Sequence, residues 1–372
     1  MNTWAVCAVL CLFAGCGPRP ATRDATDRKA GDEIPPTIRV EPMRVRAVRD
    51  KERLAIEAYD ADGLFERAAL YLRKGRCDEA VSMYERLVDD FPDSRFAAPA
   101  LYNIGLCSEQ LDQYQAAAAA YLGLIENYPD SRDMTDALFR LGSSYEELEA
   151  WANAVEIYGR LIMEREDLEG IERVEALARM GSCLIHVGKR DEARLALEDA
   201  TRLFRAGSGV SPSASTYYYA MARFKIGEIV QMDMREVVMP TDETSLEPVL
   251  ERKCQLLLDA QGEYTKSIKI GHPHWAAAAA YRIGSLYRNL WEDLTTAPPP
   301  GDLDEEAKKI YLDMLKERIR VLLKKAVVQW ERTLKMARRL NMSNEWVERT
   351  TKELGEIRDI LSIDIESDAE DK

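Results

Sequence analysis

Histidine is the scarcest chemistry-bearing residue in this chain: His186, His272 and His274 are the only three among 372 residues. His272-Pro273-His274 could meet a metal at a helix–helix turn, but no Cys/His cluster completes a site. A loop or helix start is the preferred reading. Neither GxSxG nor HExxH occurs. Gly207-Ser208-Gly209 is not followed by Lys-Ser/Thr, so it reads as a flexible turn rather than a phosphate loop. Pairs such as Glu146-Glu147 and Glu305-Glu306 are common in an acidic helical chain and identify no acid–base catalyst. We therefore expect no enzyme, no cofactor and no metal. Basic excess is also missing. Lys and Arg number 51 against 65 Asp and Glu, a net charge of −14, which argues against a nucleic-acid partner. No stretch reads as period-2 strands joined by a hairpin turn, so no sheet is expected.

What the chain has is repetition. A tetrapeptide returns as Tyr102-Asn103-Ile104-Gly105, Phe139-Arg140-Leu141-Gly142, Ala178-Arg179-Met180-Gly181, Phe224-Lys225-Ile226-Gly227 and Tyr281-Arg282-Ile283-Gly284. Its glycines stand 37, 39, 46 and 57 residues apart. Self-similarity near that period marks stacked helical repeats. Leu101, Ile104, Gly105 and Ser108 line one face of a first helix; Tyr114, Ala117, Tyr121 and Leu124 line a second. Leu138, Leu141, Gly142 and Tyr145, then Trp151, Ala154, Tyr158 and Leu161, repeat the pattern. Pro92 and Pro129 should end the second helices, since proline lacks an N–H and clashes with the preceding turn.

These spacings resemble the tetratricopeptide repeat, with its small residue at position eight, Ala at twenty and aromatic at twenty-four. Leu64, Leu101, Leu138 and Leu177 stand where that family often has Trp. The resemblance implies an all-α fold, a right-handed α-solenoid of helix-turn-helix repeats, with a longer-helix C-terminal part. Four units are expected over 53–206 and two extended, divergent units over 207–340. A capping helix and acidic tail would follow over 341–372, with Asp364–Lys372 frayed. A plain helical bundle is the other reading of the C-terminal half.

Residues 1–15 are apolar, too short a run to span a bilayer and the size of a signal-peptide core. Ala14-Gly15-Cys16 resembles the bacterial lipobox, which implies a fatty-acylated Cys16 as mature N-terminus and, with Gly17 following, the outer membrane. An ordinary signal peptide is the alternative. Residues 16–52, with Pro18, Pro20, Pro35 and Pro36, read as a flexible tether. Cys77, Cys107, Cys183 and Cys254 have no ligand-like spacing and read as small buried residues, with a Cys77–Cys107 bridge left open.

In tetratricopeptide repeats the first helix lines a concave groove. By that resemblance Tyr102, Asn103, Phe139, Arg140, Arg179, Phe224, Lys225, Tyr281 and Arg282 would face a partner, an acidic or C-terminal peptide segment. Each Arg could instead pair with an acid on a neighbouring helix, such as Glu146, Glu147 or Glu175. Lys316–Arg339 carries many cations, suited to anionic lipid or an acidic partner, or else a solvated face paired with acids. Phe91-Pro92-Asp93-Ser94 and Tyr128-Pro129-Asp130-Ser131, closing repeats behind a lipobox, look like those of periplasmic tetratricopeptide lipoproteins, among them the β-barrel-assembly and gliding-motility lipoproteins. That resemblance implies a lipid-anchored scaffold binding envelope proteins in an assembly, secretion or motility complex. A periplasmic chaperone for soluble peptide clients and an accessory subunit of an envelope enzyme are the alternatives.

Overall fold

The computed structural model describes residues 42–50, 53–165, 168, 170–207, 216–240, 243–299 and 303–370. The signal peptide, Cys16, nearly all of the tether, and Ser208 and Gly209 lie outside the described residues. The chain divides into two compact units, Met1–Ile157 and Tyr158–Lys372.

The first unit opens with a hairpin, β1 (Met43–Asp50) paired antiparallel with β2 (Arg53–Asp60), Met43 opposite Asp60 and Ala47 opposite Ile56. This corrects the expectation of no strand and of a tether reaching residue 52. The alternation is present in the residues: Met43, Val45 and Ala47 share a face with Ile56 and Ala58. Its abundant charge is what disguised it. Arg44, Arg46, Glu57 and Tyr59 occupy the other face, which packs on the helices. There the Tyr59 hydroxyl donates to Asp90 at 2.7 Å, and the Arg86 guanidinium lies 3.5 Å from the centre of the Tyr59 ring.

Helical pairs follow. They are α1 (Ala61–Arg73) with α2 (Cys77–Asp90), α3 (Ala97–Gln110) with α4 (Tyr114–Asn127), and α5 (Met134–Glu147) with α6 (Trp151–Glu164). Asp60 caps α1 by accepting from the Gly63 amide at 2.8 Å. Helices α2 and α4 stop before Pro92 and Pro129. The turn within each pair carries one left-handed residue: Gly75 at φ 69°, Asp112 at 56° and Glu149 at 55°.

The second unit continues with α7 (Gly170–His186) and α8 (Arg190–Ala206), α9 (Tyr217–Glu236) and α10 (Glu243–Ile270), then α11 (Pro273–Thr296) and α12 (Glu305–Arg339). The last helix, α13 (Glu345–Glu370), packs on α12 and α11 and runs past Asp364, where fraying was expected. Sequential helix pairs recur throughout this half, and each first helix also meets the next, α7 with α9 and α9 with α11, so it is a repeat stack and not a plain bundle.

One packing rule links both units. A Cβ on Gly105 would strike the Tyr121 ring, one on Gly227 the Tyr264 ring and one on Gly284 the Trp330 indole; at Gly181 the neighbour is Leu197. Tyr84, Tyr121, Tyr158, Tyr264 and Trp330 are all fully buried in second helices. The missing side chain on one helix is the space that the large side chain of its partner fills.

Candidate interaction face

The first two positions of the tetrapeptide lie on the first helix of each pair. In the first unit Arg140 of α5 reaches back to α3. Its Nε donates to the Tyr102 hydroxyl at 3.0 Å and its Nη1 to Glu109 Oε2 at 2.6 Å. In the second unit Arg179 of α7 donates to Glu175 at 2.9 Å and to the Tyr218 hydroxyl of α9 at 3.0 Å. Arg282 of α11 reaches back to Glu228 of α9 at 2.5 Å, and Lys225 meets the same carboxylate at 2.9 Å. Arg140, Arg179 and Arg282 therefore join successive first helices, Lys225 pairs within α9, and the four side chains remain 16 to 27% exposed.

The two bridging carboxylates differ. Burial pushes Glu109 up, against the pull of Arg140. Burial also pushes Glu228 up, but Lys225 and Arg282 outweigh it and hold its carboxyl below the usual range. The Tyr218 hydroxyl is raised by burial.

Each predicted groove residue has a definite place. Arg140, Arg179, Lys225 and Arg282 are half-buried and ion-paired, and Phe139 is half-buried. Asn103 and Phe224, at 1% exposure each, belong to the interior. Asn103 donates to the Tyr84 hydroxyl at 3.2 Å, and Phe224 packs among Tyr264, Trp275 and Trp346. Tyr102 and Tyr281 are buried too; Tyr281 stacks on Trp330 and donates to Glu353 at 3.3 Å. Of the acids named from the sequence as internal partners, Glu175 does hold Arg179. Glu109 and Glu228, which hold Arg140 and Arg282, follow the repeat glycines by four residues and by one, so no common offset marked them.

At the last pair two of the acids come from α13 and one, Glu292, from α11 itself. Arg288 of α11 engages Glu292 at 2.8 Å, Glu356 at 2.9 Å and also Glu353. Trp346 lies against Phe224, Tyr281 and the Arg282 guanidinium.

His272 is the N-cap position of α11, with Pro273 in its first turn, the helix-start role read from the sequence. Both imidazoles are pushed down by burial beside Tyr217 and Trp275. Among the described residues no group of three or more His, Cys, Asp and Glu is placed to hold a metal, and no helix is long and apolar enough to cross a membrane. Cys77, Cys107 and Cys254 are free thiols, Cys183 is buried, and Cys77 donates to Gln110 Oε1 at 3.0 Å.

Two family profiles described as "Tetratricopeptide repeat" match the chain, one over residues 65–132 and one over 136–162. These two stretches are tetratricopeptide repeats. Solved structures that the chain is similar to include the "Crystal structure of MamA protein", 18% identical. That match covers 65% of this chain and 96% of the other, with a TM-score of 0.40. A tetratricopeptide repeat protein from Parabacteroides merdae is 15% identical, covering 80% of this chain and 98% of its own, with a TM-score of 0.39. MamA from Desulfovibrio magneticus is 15% identical, covering 53% and 94%, with a TM-score of 0.36. No curated protein matches the chain. Tetratricopeptide repeats are in general non-catalytic modules that bind protein partners.

Proposed function

We propose that the chain is a non-catalytic scaffold that holds protein partners on the first-helix face of its repeats. An acyl group on Cys16 anchors it to the bacterial outer membrane, facing the periplasm, within an assembly, secretion or motility complex. The observation that carries this reading is the tetratricopeptide stretch at 65–132 and 136–162, with Phe139, Arg140, Arg179, Lys225 and Arg282 partly exposed along first helices. Guanidinium groups already bound to Glu109, Glu175 and Glu228 keep a fixed orientation, so a partner's carboxylate would meet preorganised donors.

Two measurements test it. Radiolabelled fatty acid should enter the wild-type protein and not Cys16→Ser, and the variant should leave the membrane fraction. Arg140→Gln, Arg179→Gln and Arg282→Gln together should abolish co-purification of envelope proteins from detergent extracts, while circular dichroism keeps its helical signal. Undiminished co-purification would remove the face from consideration.

A further inference from the structure

Helix α12 turns Leu323, Ala326, Trp330, Thr333 and Ala337 into the core. On its opposite side four large apolar residues stay in water: Ile310 is 55% exposed, Met314 61%, Val321 52% and Val328 43%. Their steps of four, seven and seven residues keep them within an arc of about 40°, along about 27 Å of helix. Arg318, Lys324, Lys325, Arg332, Lys335 and Arg339 stand beside and beyond this stripe, all exposed. None of the six has an ion-pair partner among the described residues, and Lys325 makes only a cation–π contact with Tyr287 at 5.4 Å. The nearest acids on α12 are engaged elsewhere, Glu317 by Arg320 and Glu331 by Arg358. A chain with a net charge of −14 thus leaves a group of cations uncompensated around its one narrow apolar stripe on this helix.

We propose that this face of α12 binds an acidic amphipathic helix of another protein. Seven-residue steps hold a stripe in line with a helix laid along it, whereas 3.6-residue drift would carry it away. Single-residue width suits a helix seam. A membrane-surface helix instead buries a broad apolar face rich in Trp, Phe and Leu, which this stripe lacks. A second copy of α12 would bring like charges together. Carboxylates on either side of the partner's apolar seam would meet Lys324 and Lys335 on one flank and Arg318 and Lys325 on the other. Exposed pairs each contribute little, so the apolar contact is as necessary as the charge. None of the tetrapeptide residues takes part, so this surface stands independently of the first-helix face.

The test uses the full chain and a fluorescent synthetic helix of about four heptads, with Leu in the seam and Glu at the flanks. Polyglutamate, the same helix with Lys for Glu, and phosphatidylglycerol vesicles are the comparisons. Anisotropy should show saturable binding of the acidic helix, weakened at least about tenfold between about 0.05 and 0.3 M salt. Met314→Ser, Val321→Ser and Val328→Ser combined should abolish it, and so should Lys324→Glu, Arg332→Glu and Lys335→Glu combined. Melting should not change in either variant, because every substituted side chain is exposed. Equal binding of polyglutamate would reduce the surface to ion exchange and overturn the proposal. So would stronger binding to vesicles, binding that survives the serine variant, or no binding of the acidic helix.

Discussion

At the scale of the residue, the repeat glycines are packing residues and not turn residues. Gly227 lies inside α9 with its missing Cβ aimed at the Tyr264 ring, whose Cε1 would be 2.7 Å away. Neither the backbone nor a fully buried ring can yield cheaply. Gly227→Ala should therefore destabilise by about 1–3 kcal/mol despite alanine's better helix propensity. Gly262 sits inside α10 with nothing near its virtual Cβ. There propensity acts alone, and Gly262→Ala should stabilise by about 0.5–1 kcal/mol. Urea melts of the two variants should move in opposite directions. Glu228 supplies a second residue-scale test. Its folded pKa is depressed, so its contribution is present above the unfolded carboxylate value of about 4.3 and lost as pH falls through the folded value. Glu109 is raised, so it opposes stability at neutral pH and relaxes as the medium acidifies. Glu228→Gln should cost about 1–3 kcal/mol at pH 7 and less as pH falls through the folded value, while Glu109→Gln should cost less at pH 7 than at pH 3 relative to wild type. Thermal melts across that range measure both signs.

At the scale of the element, the helices were legible because their signals are local and repeated. Gly105, Tyr121 and Pro129 state a helix, its partner and its stop within one unit; Gly142 and Tyr158 restate the helix and its partner in the next, and Pro92 marks the stop in the one before. The hairpin was not, because its alternation carries Arg44, Arg46 and Glu57 where a core strand would carry apolar residues. Those charges are satisfied only by the fold: Glu57 meets Arg86 at 3.3 Å and Arg46 at 3.1 Å, and Arg44 donates to the Asp90 carbonyl at 3.2 Å. Two strands alone are marginal in water, so the contacts to α2 decide whether this element persists. Arg86→Met keeps the aliphatic stem, and it removes the guanidinium from both the Tyr59 ring and Glu57. The hairpin amides should then exchange about 5- to 30-fold faster, the equivalent of 1–2 kcal/mol. Amides in the middle of α4 should keep their protection. The candidate face was half legible for the same reason. Cations at the second tetrapeptide position recur with each unit, whereas the acids they meet stand at differing offsets, Glu175 on the same helix as Arg179 and Glu109 and Glu228 on the first helix of the pair before Arg140 and Arg282.

At the scale of the molecule, a stack of repeats has to close its ends, because each unit leaves a face for the next. Among the described residues the first unit begins with the hairpin, whose Tyr59 packs edge-on against Phe91. The second unit finishes with α13, which supplies Trp346, Leu354 and Ile357 to the same core as Tyr281, Leu290 and Trp330. Neither element belongs to the repeat, so its period is silent about them; of the two, only a capping helix over 341–372 was expected from the sequence. Its outer charge is acidic where it meets Arg288, through Glu353 and Glu356, so apolar and ionic contacts close this end together. Leu354→Glu with Ile357→Glu should open the end by placing unpaired carboxylates against that core. The expected outcome is a loss of about 3–5 kcal/mol, increased binding of a dye such as ANS, and concentration-dependent association through the uncovered α11–α12 surface. Lys352→Ala on the exposed side of α13 should do none of this, since its pair with Glu356 at 4.0 Å is a surface contact. Dye fluorescence and light scattering on the two variants separate a cap from a helix that merely follows the last repeat. An unchanged melt in the double variant would mean that the stack is closed by α11 and α12 themselves.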